Sequence, residues 1–210
     1  METIKRYSPV TFDSKPAETE LRNGWEVVLA YEDEGNGPYL VDLSHIAKWD
    51  VQHAHLSQIQ PMGTAIPQTP RACIFKDSVF INRLNQTQAS VWHICGLKAE
   101  MPEDSAYTDI TDVFAMLALF GADNLSIMEK VTALDLQPHE KQSPFLIQGP
   151  VLHVPCQIVI VEKDALLIAF SRGYAHSMSE AFLEAGSQCN LKPAGELVFS
   201  NYIKTLTLVT

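Results

Sequence analysis

The chain has 210 residues, a hydrophobic share of 46% and a formal net charge of −10. This length is sufficient for a buried core without disulfides or metals, and it fits one large domain or two small domains joined closely. The acidic balance argues against nucleic-acid binding, which usually needs a basic face, and against docking on anionic membranes. We therefore expect neither a nucleic-acid partner nor a membrane partner.

The cysteines and the N-terminal residues predict a cytoplasmic protein. The cysteines lie far apart without a CxxC pair, which predicts no zinc or redox motif and favours a reducing compartment: Cys73, Cys95, Cys156 and Cys189. The stretch METIKRYSPVTFDSKPAETE lacks the apolar core of a signal peptide, and no run approaches the roughly 20 apolar residues of a spanning helix. We expect an N-terminal arm over residues 1–22, frayed up to about Glu20.

The first part of the chain reads as strands and turns. WEVVLAYE (25–32) is typical of a strand, and the turn DEGNG followed by PYLVDL predicts a hairpin. HIAKWDV alternates and can continue as strand, whereas four Pro and Gly residues make 53–71 mostly loop. RACIFKDSVFINRL and ASVWHIC read as further paired strands.

The second part mixes strands with helices. EMPEDS (100–105) is a polar connector near the midpoint, and YTDITDVFAMLALF is strand-like. ADNLSIMEKVTAL has helical spacing with Asp123 near its start, and SRGYAHSMSEAFLEAG predicts a helix between Ser171 and Gly186. Between these helices CQIVIVE and LLIAF predict strands, and the tail fits helix or strand. Strands and helices without strict alternation indicate an α+β fold.

A short pattern occurs in both parts. Asp42-Leu43-Ser44 and Asp109-Ile110-Thr111 each enter a strand-like stretch, and a predicted hairpin follows each copy at about 79–96 and 157–171. Two copies are too few for a solenoid. They predict one domain built from two related halves, 23–100 and 101–210.

The first copy also contains the residue types of a hydrolytic triad. A triad is assembled by spatial geometry, however, and in a strand Ser44 and His45 would face opposite sides. No G-x-S-x-G elbow occurs in the chain. The favoured interpretation is that Asp42 and Ser44 bond local backbone at a strand crossing.

Two further sets of residues are candidates for chemistry. His53 and His55 share a strand-like spacing, but a transition-metal site needs three or four ligands and no third one is suitably spaced, so no metal is predicted. Asp77, within CIFKDSVF, lies at a predicted turn between two strands.

Several stretches together resemble the glycine-cleavage T-protein (aminomethyltransferase) superfamily. LVDLSHIAKWDV is similar to the family's LFDVSHMGKIEV, VTALDL to its closing L…DL element, and YAHSMSEAFLEAGSQCNLKPAG to its YAE.LWEALLEAG...GLKPAG. The resemblance extends in register over about residues 24–204. It implies the folate-binding fold of two pseudo-symmetric α+β halves, lacking the family's C-terminal barrel.

The functional motifs of the family depart from this sequence. IVIVEKDALLIAF stands where the family's SRTGYTGE.GFE segment helps bind tetrahydrofolate, and NYIKTLTL has no arginine to match RLEAG. The GG..DD strand of the catalytic aspartate aligns loosely with FKDSVFINRL, which lacks the glycines and the second aspartate. The resemblance thus implies Asp77 as the catalytic candidate.

In size and pattern the chain is most similar to the gamma subunits of heterotetrameric sarcosine oxidases, short T-protein-like chains without flavin. SRGYAHSM (171–178) is similar to their RSYA junction, so Arg172 and Tyr174 join Asp77 as implied cofactor-binding residues. The resemblance implies a non-catalytic subunit or binding protein in one-carbon or amine metabolism. It further implies a protein partner or homo-oligomer, weak or absent tetrahydrofolate binding, and neither flavin nor metal.

Two alternatives stay open. A tetrahydrofolate-dependent aminomethyltransferase would use Asp77 to orient the folate or activate its amine, and it needs a pocket converging on that carboxylate. An assembly scaffold would use the same fold with a repurposed pocket, since fold does not determine function. Whether the chain is an enzyme is therefore open, with a non-catalytic role favoured.

Overall fold

A computed structural model describes residues 5–94, 99–137 and 142–207. The strands are β1 (Pro16–Arg22), β2 (Trp25–Tyr31), β3 (Tyr39–Asp42), β4 (Ala47–Gln52), β5 (Cys73–Lys76), β6 (Val79–Arg83), β7 (Gln88–His93), β8 (Tyr107–Asp109), β9 (Phe114–Phe120), β10 (Phe145–Val151), β11 (Val154–Glu162), β12 (Ala165–Ser171) and β13 (Lys192–Ala194). The helices are α1 (Asn124–Glu129), α2 (Ala175–Gly186) and α3 (Glu196–Thr207). The chain is therefore α+β, as predicted.

Two sheets form the body of the molecule. One has the strand order β10-β11-β12-β9-β3-β13 and the other β5-β6-β7-β4-β8, while β1 and β2 pair as a separate hairpin. Within the six-stranded sheet β13 runs parallel to β3, and the other neighbours are antiparallel. The unit β5-β6-β7-β4 corresponds strand for strand to β10-β11-β12-β9, which confirms the two pseudo-symmetric halves.

Each half also places one strand in the sheet of the other. β3 precedes β4 in sequence but pairs with β9, and β8 precedes β9 but pairs with β4. The exchanged strands are the two segments that carry the repeated Asp-aliphatic-Ser/Thr pattern.

The central strand β9 is apolar on both faces because each face lies against a core. Leu117 and Leu119 pack with Met178 and Phe182 of α2. Met116 and Ala118 face the other way, toward the five-stranded sheet and α3, in a cluster with Phe80, Trp92 and Phe199. A continuous apolar run is the pattern expected of a strand covered on both sides.

Two predictions for the N-terminal part were wrong. β2 does not form a hairpin with β3, since it pairs with β1, and residues 16–22 are therefore a strand instead of a frayed end. The segment after β2 does not form a hairpin turn, because Glu34 bonds it to the residue before α3. Glu34 Oε1 accepts hydrogen bonds from Tyr31 N at 2.9 Å and from Gly195 N at 2.7 Å. β3 instead enters the six-stranded sheet, where Leu40 and Val41 are fully buried.

The positions of the helices agree better with the sequence prediction than their lengths do. α2 ends at Gly186 as predicted, although Ser171 makes no capping bond. α1 is six residues long and ends at Glu129, because Thr132 Oγ1 donates to Pro150 O at 2.7 Å and Leu152 N donates to Val131 O at 2.9 Å. Tethering to the β10–β11 turn thus replaces the last predicted turn of helix. Among the described residues, no helix is both long and apolar enough to cross a membrane.

Candidate functional site

The first Asp-aliphatic-Ser/Thr segment is the turn by which the chain passes from one sheet to the other. Asp42 Oδ1 accepts a hydrogen bond from Ser44 N at 2.9 Å. The Ser44 hydroxyl accepts one from Met116 N at 3.2 Å, and Leu43 N donates to Met116 O at 2.9 Å. Ser44 is fully buried, and the hydrogen bond to its side chain connects this turn to β9.

The second segment makes the same three bonds around β4. Thr111 N donates to Asp109 Oδ1 at 2.8 Å, Lys48 N donates to Thr111 Oγ1 at 3.0 Å, and Ile110 N donates to Lys48 O at 2.9 Å. A bonding pattern that recurs with a different residue after the hydroxyl is a structural requirement of the crossing. The interpretation of the motif as a strand crossing is confirmed, and the triad interpretation finds no support.

Lys48 is a buried amine at the centre of the first crossing. The residue is fully buried, and its Nζ donates to Ser44 O at 2.8 Å and to Ile46 O at 2.7 Å. Burial lowers the pKa of Lys48 to about 7, against the charges of Asp42 and Asp109. The amine therefore titrates near neutral pH while it holds two backbone carbonyls of the turn.

The N-terminal segment, by which we mean residues 5–10, lies over the end of β3. Ser8 Oγ donates to Asp42 Oδ2, and Arg6 N donates to Gly24 O at 2.7 Å. Val10 is buried in the core beneath α2. This segment is thus bonded to both β3 and the β1–β2 turn.

Burial moves the ionisable groups beside this segment toward their neutral forms. It raises the pKa of Asp42 and, together with the charge of Asp42, raises the pKa of Tyr31 above its ordinary range. Burial lowers the pKa of His45 to about 3, and the charge of Lys48 acts in the same direction. His45 is therefore neutral at physiological pH.

A cavity of about 60 Å³ lies beneath the N-terminal segment. Its wall combines polar and apolar side chains: Ser8, Val10, Trp25, Glu26, Val27, Val28, Tyr31, Asp42, His45 and Ala194. Two buried polar atoms of this wall, Trp25 Nε1 and His45 Nε2, have no hydrogen-bond partner in the described part of the chain. Such an unpaired group costs roughly 1–3 kcal/mol, so the cavity is a candidate binding site.

The low pKa of His45 predicts that the chain loses stability in acid. The unfolded histidine has a pKa near 6.5, and the folded one has a pKa of about 3. Between these values the unfolded chain binds one proton more, so stability falls as the pH falls. We expect His45→Gln to reduce the slope of unfolding free energy against pH by up to about 1.4 kcal/mol per pH unit in this window.

Urea denaturation at pH 4, 5, 6 and 7 measures this slope. The control is His55→Gln, which changes an exposed histidine in the loop after β4. Its slope should match that of the unmodified chain, and equal slopes for all three proteins would contradict the assignment to His45.

The structure separates two of the predicted cofactor-binding residues. Arg172 donates to Tyr7 O, and its guanidinium carbon lies 5.5 Å from the centre of the Trp25 ring. Tyr174 is half exposed and lines a different cavity of about 410 Å³, between the β10–β11 turn and α2. Arg172 therefore supports the N-terminal segment, whereas Tyr174 belongs to a separate surface.

Asp77 lies at the exposed turn of the β5–β6 hairpin, where its φ of 50° is left-handed. Four cavities of about 60 to about 410 Å³ are lined by described residues, and Asp77 lines none of these four. No hydrogen bond or ion pair within the described chain joins it to Arg172 or Tyr174. The three candidates are not brought together, and their roles remain predictions.

The histidine pair is a local feature of the loop. His55 N donates to His53 Nδ1 at 3.0 Å. Over residues 5–94, 99–137 and 142–207, no group of three or more His, Cys, Asp or Glu side chains is placed to hold a metal ion.

The sequence did not predict three properties of this site: the burial of Lys48, the unpaired indole of Trp25 and the low pKa of His45. The burial of Lys48 could have been inferred from one feature of the sequence. This lysine lies between Ala47 and Trp49 in a strand beside two crossing turns, where little space is left for solvent. Trp25 offered no such feature, because its unpaired indole depends on the N-terminal segment that covers it.

Comparisons with known proteins identify the fold. No family model and no curated protein matches the sequence. A chain of the heterotetrameric sarcosine oxidase from Corynebacterium sp. U-96, solved with pyrrole 2-carboxylate, is similar with a TM-score of 0.60 and 14% identity over 74% of this chain and 88% of that chain. Aminomethyltransferase T of the Bartonella henselae glycine cleavage system is similar with a TM-score of 0.56 and 14% identity over 86% of this chain.

The alignment with the aminomethyltransferase covers 56% of that chain, so the present sequence spans about half of its length. At 14% identity the two structures show a shared fold. It is the T-protein-like fold that the sequence resemblance predicted.

Proposed function

We propose that the chain is a non-catalytic subunit or binding protein of cytoplasmic one-carbon or amine metabolism, with weak or absent tetrahydrofolate binding. The observation that carries this proposal is the dispersal of the candidate site. Asp77 is at an exposed turn, Arg172 is bonded to the N-terminal segment, and Tyr174 lines another surface.

The cavities argue against transferase chemistry at Asp77. General acid or base catalysis requires the carboxylate within hydrogen-bond reach of its substrate. Pockets for ligands of drug size have volumes of about 300–1,000 Å³, whereas the cavity beside Asp42 and His45 has about 60 Å³. The larger cavities described above have walls without Asp77.

A protein partner is supported by the sarcosine oxidase match and by the surface near Arg172. The matched chain belongs to a heterotetramer, and 88% of it is covered. Arg172 donates to the backbone carbonyls of Tyr7 and Val113, whose residues are 62% and 52% exposed. A partner covering this surface would remove both apolar side chains from water.

Two measurements test the proposal. Calorimetry should detect no micromolar binding of tetrahydrofolate, and the Asp77→Asn variant should behave identically. Purification of the native complex should yield a stoichiometric partner protein. Val113→Asp should weaken the affinity for this partner by tenfold or more, because a charge would be buried at the contact.

The control for the partner experiment is Met62→Asp, at a residue that is 50% exposed in the loop after β4. It should leave the complex intact. Micromolar tetrahydrofolate binding that Asp77→Asn abolishes, together with methylene transfer, would instead establish the aminomethyltransferase alternative.

A further inference from the structure

We propose that the cavity beneath the N-terminal segment binds a small neutral molecule that carries both a hydrogen-bond acceptor and a donor. This inference is independent of the proposed function. It rests on the size of the cavity, on its unpaired polar atoms and on the signs of the charges around it.

The volume limits the guest to a very small molecule. A buried water needs about 10–15 Å³ of cavity volume, and the cavity has about 60 Å³. It therefore has room for a few waters or for one small organic molecule.

The unpaired atoms define the hydrogen bonds of the guest. Trp25 is 1% exposed, and its indole Nε1–H, which can only donate, has no acceptor among the described residues. The guest must therefore supply an acceptor atom. In the same wall, His45 Nε2 is also unpaired, and the Asp42 carboxylate has lone pairs beyond its bonds to Ser8 and Ser44. A donor on the guest can satisfy these groups.

The charges around the cavity favour a neutral guest. Asp42 and Glu26 belong to its wall, and their carboxylates disfavour an anion. Lys48 and Arg22 lie near enough to His45 for their charges to act on it, and these charges offset the attraction of the two carboxylates for a cation. The rest of the wall includes valines and Ala194, which solvate neither charge.

The N-terminal segment closes the cavity from one side. Ser8 and Val10 are part of the wall, and the segment is held by the bond from Ser8 to Asp42 and by the bond from Arg172 to Tyr7 O. Ser8→Ala removes the bond to Asp42 and loosens this part of the wall, so it should accelerate exchange of the guest.

Nuclear magnetic resonance of the indole N–H groups tests the site with formamide as the neutral probe. The chain has three tryptophans, and Trp25→Phe assigns the relevant signal. We expect formamide to shift the Trp25 signal with saturation, and formate and methylammonium to bind at least tenfold more weakly. Trp92→Phe, at another buried tryptophan, should leave the Trp25 response unchanged.

Ser8→Ala provides a test that does not alter the buried aromatic core. It should raise the exchange rate of formamide and of the Trp25 indole proton by several-fold. Equal shifts of all three indoles, a shift without saturation, or an ordered water that formamide does not displace in a crystal would overturn the proposal.

Discussion

Replacing Gly195 with alanine is expected to lower the free energy of unfolding by about 3 kcal/mol or more, or to prevent stable folding. Gly195 stands directly before α3 and crosses β2 closely. An added Cβ would lie 2.1 Å from Leu29 O and 2.2 Å from Leu29 C. Because these are backbone atoms of a paired strand, no change of side-chain rotamer relieves the overlap.

A matched control is available at Gly173, in the short turn before α2. A Cβ there meets no atom within 4 Å, and the backbone is not left-handed. Gly173→Ala should therefore change stability by less than about 1 kcal/mol, in the stabilising direction. Urea denaturation of both variants at equal protein concentration provides the comparison, and similar losses for the two would refute the close approach at β2.

Lys48→Met is expected to cost about 2–4 kcal/mol at pH 9, because it removes the amine that bonds two buried carbonyls while it largely preserves the volume. Ser44 O and Ile46 O would lose the Nζ donor that each has now. The loss should fall mainly on the first crossing turn. Thermal and urea unfolding measure its size.

The pH dependence identifies the amine as the cause. The folded pKa of Lys48 is about 7, and the unfolded value is about 10.4. Between them the unfolded chain binds one proton more, so the unmodified chain gains stability as the pH rises, whereas Lys48→Met lacks this gain. Lys76→Met, at an exposed lysine that ends β5, serves as the control and should follow the unmodified chain at every pH.

The strands were predictable because their apolar runs and alternation are local properties. β9 and β12 are continuous apolar stretches, and the repeated Asp-aliphatic-Ser/Thr pattern marked both sheet crossings correctly. The pairing of β2 was not predictable in this way. DEGNG has suitable turn residues, but Glu34 is bonded to Gly195, more than 150 residues away in sequence.

The candidate site was predicted less well for a related reason. Asp77 became the catalytic candidate through a loose alignment of one strand. Such an alignment contains no information about the burial of a side chain or about its neighbours in space. The cavity depends on the N-terminal segment meeting β2 and β3, and the low pKa of His45 depends on that enclosure. Only three-dimensional contacts between distant segments create these properties.

The exchange of β3 and β8 between the sheets has a consequence for how the chain is divided. The proposed boundary near residue 100 separates two sequence repeats, but each repeat leaves its crossing strand in the other sheet. The arrangement is that of a domain-swapped dimer whose two copies are joined in one chain. Because each repeat contributes a strand to the sheet of the other, a substitution in one crossing turn is expected to weaken the sheet of the other repeat.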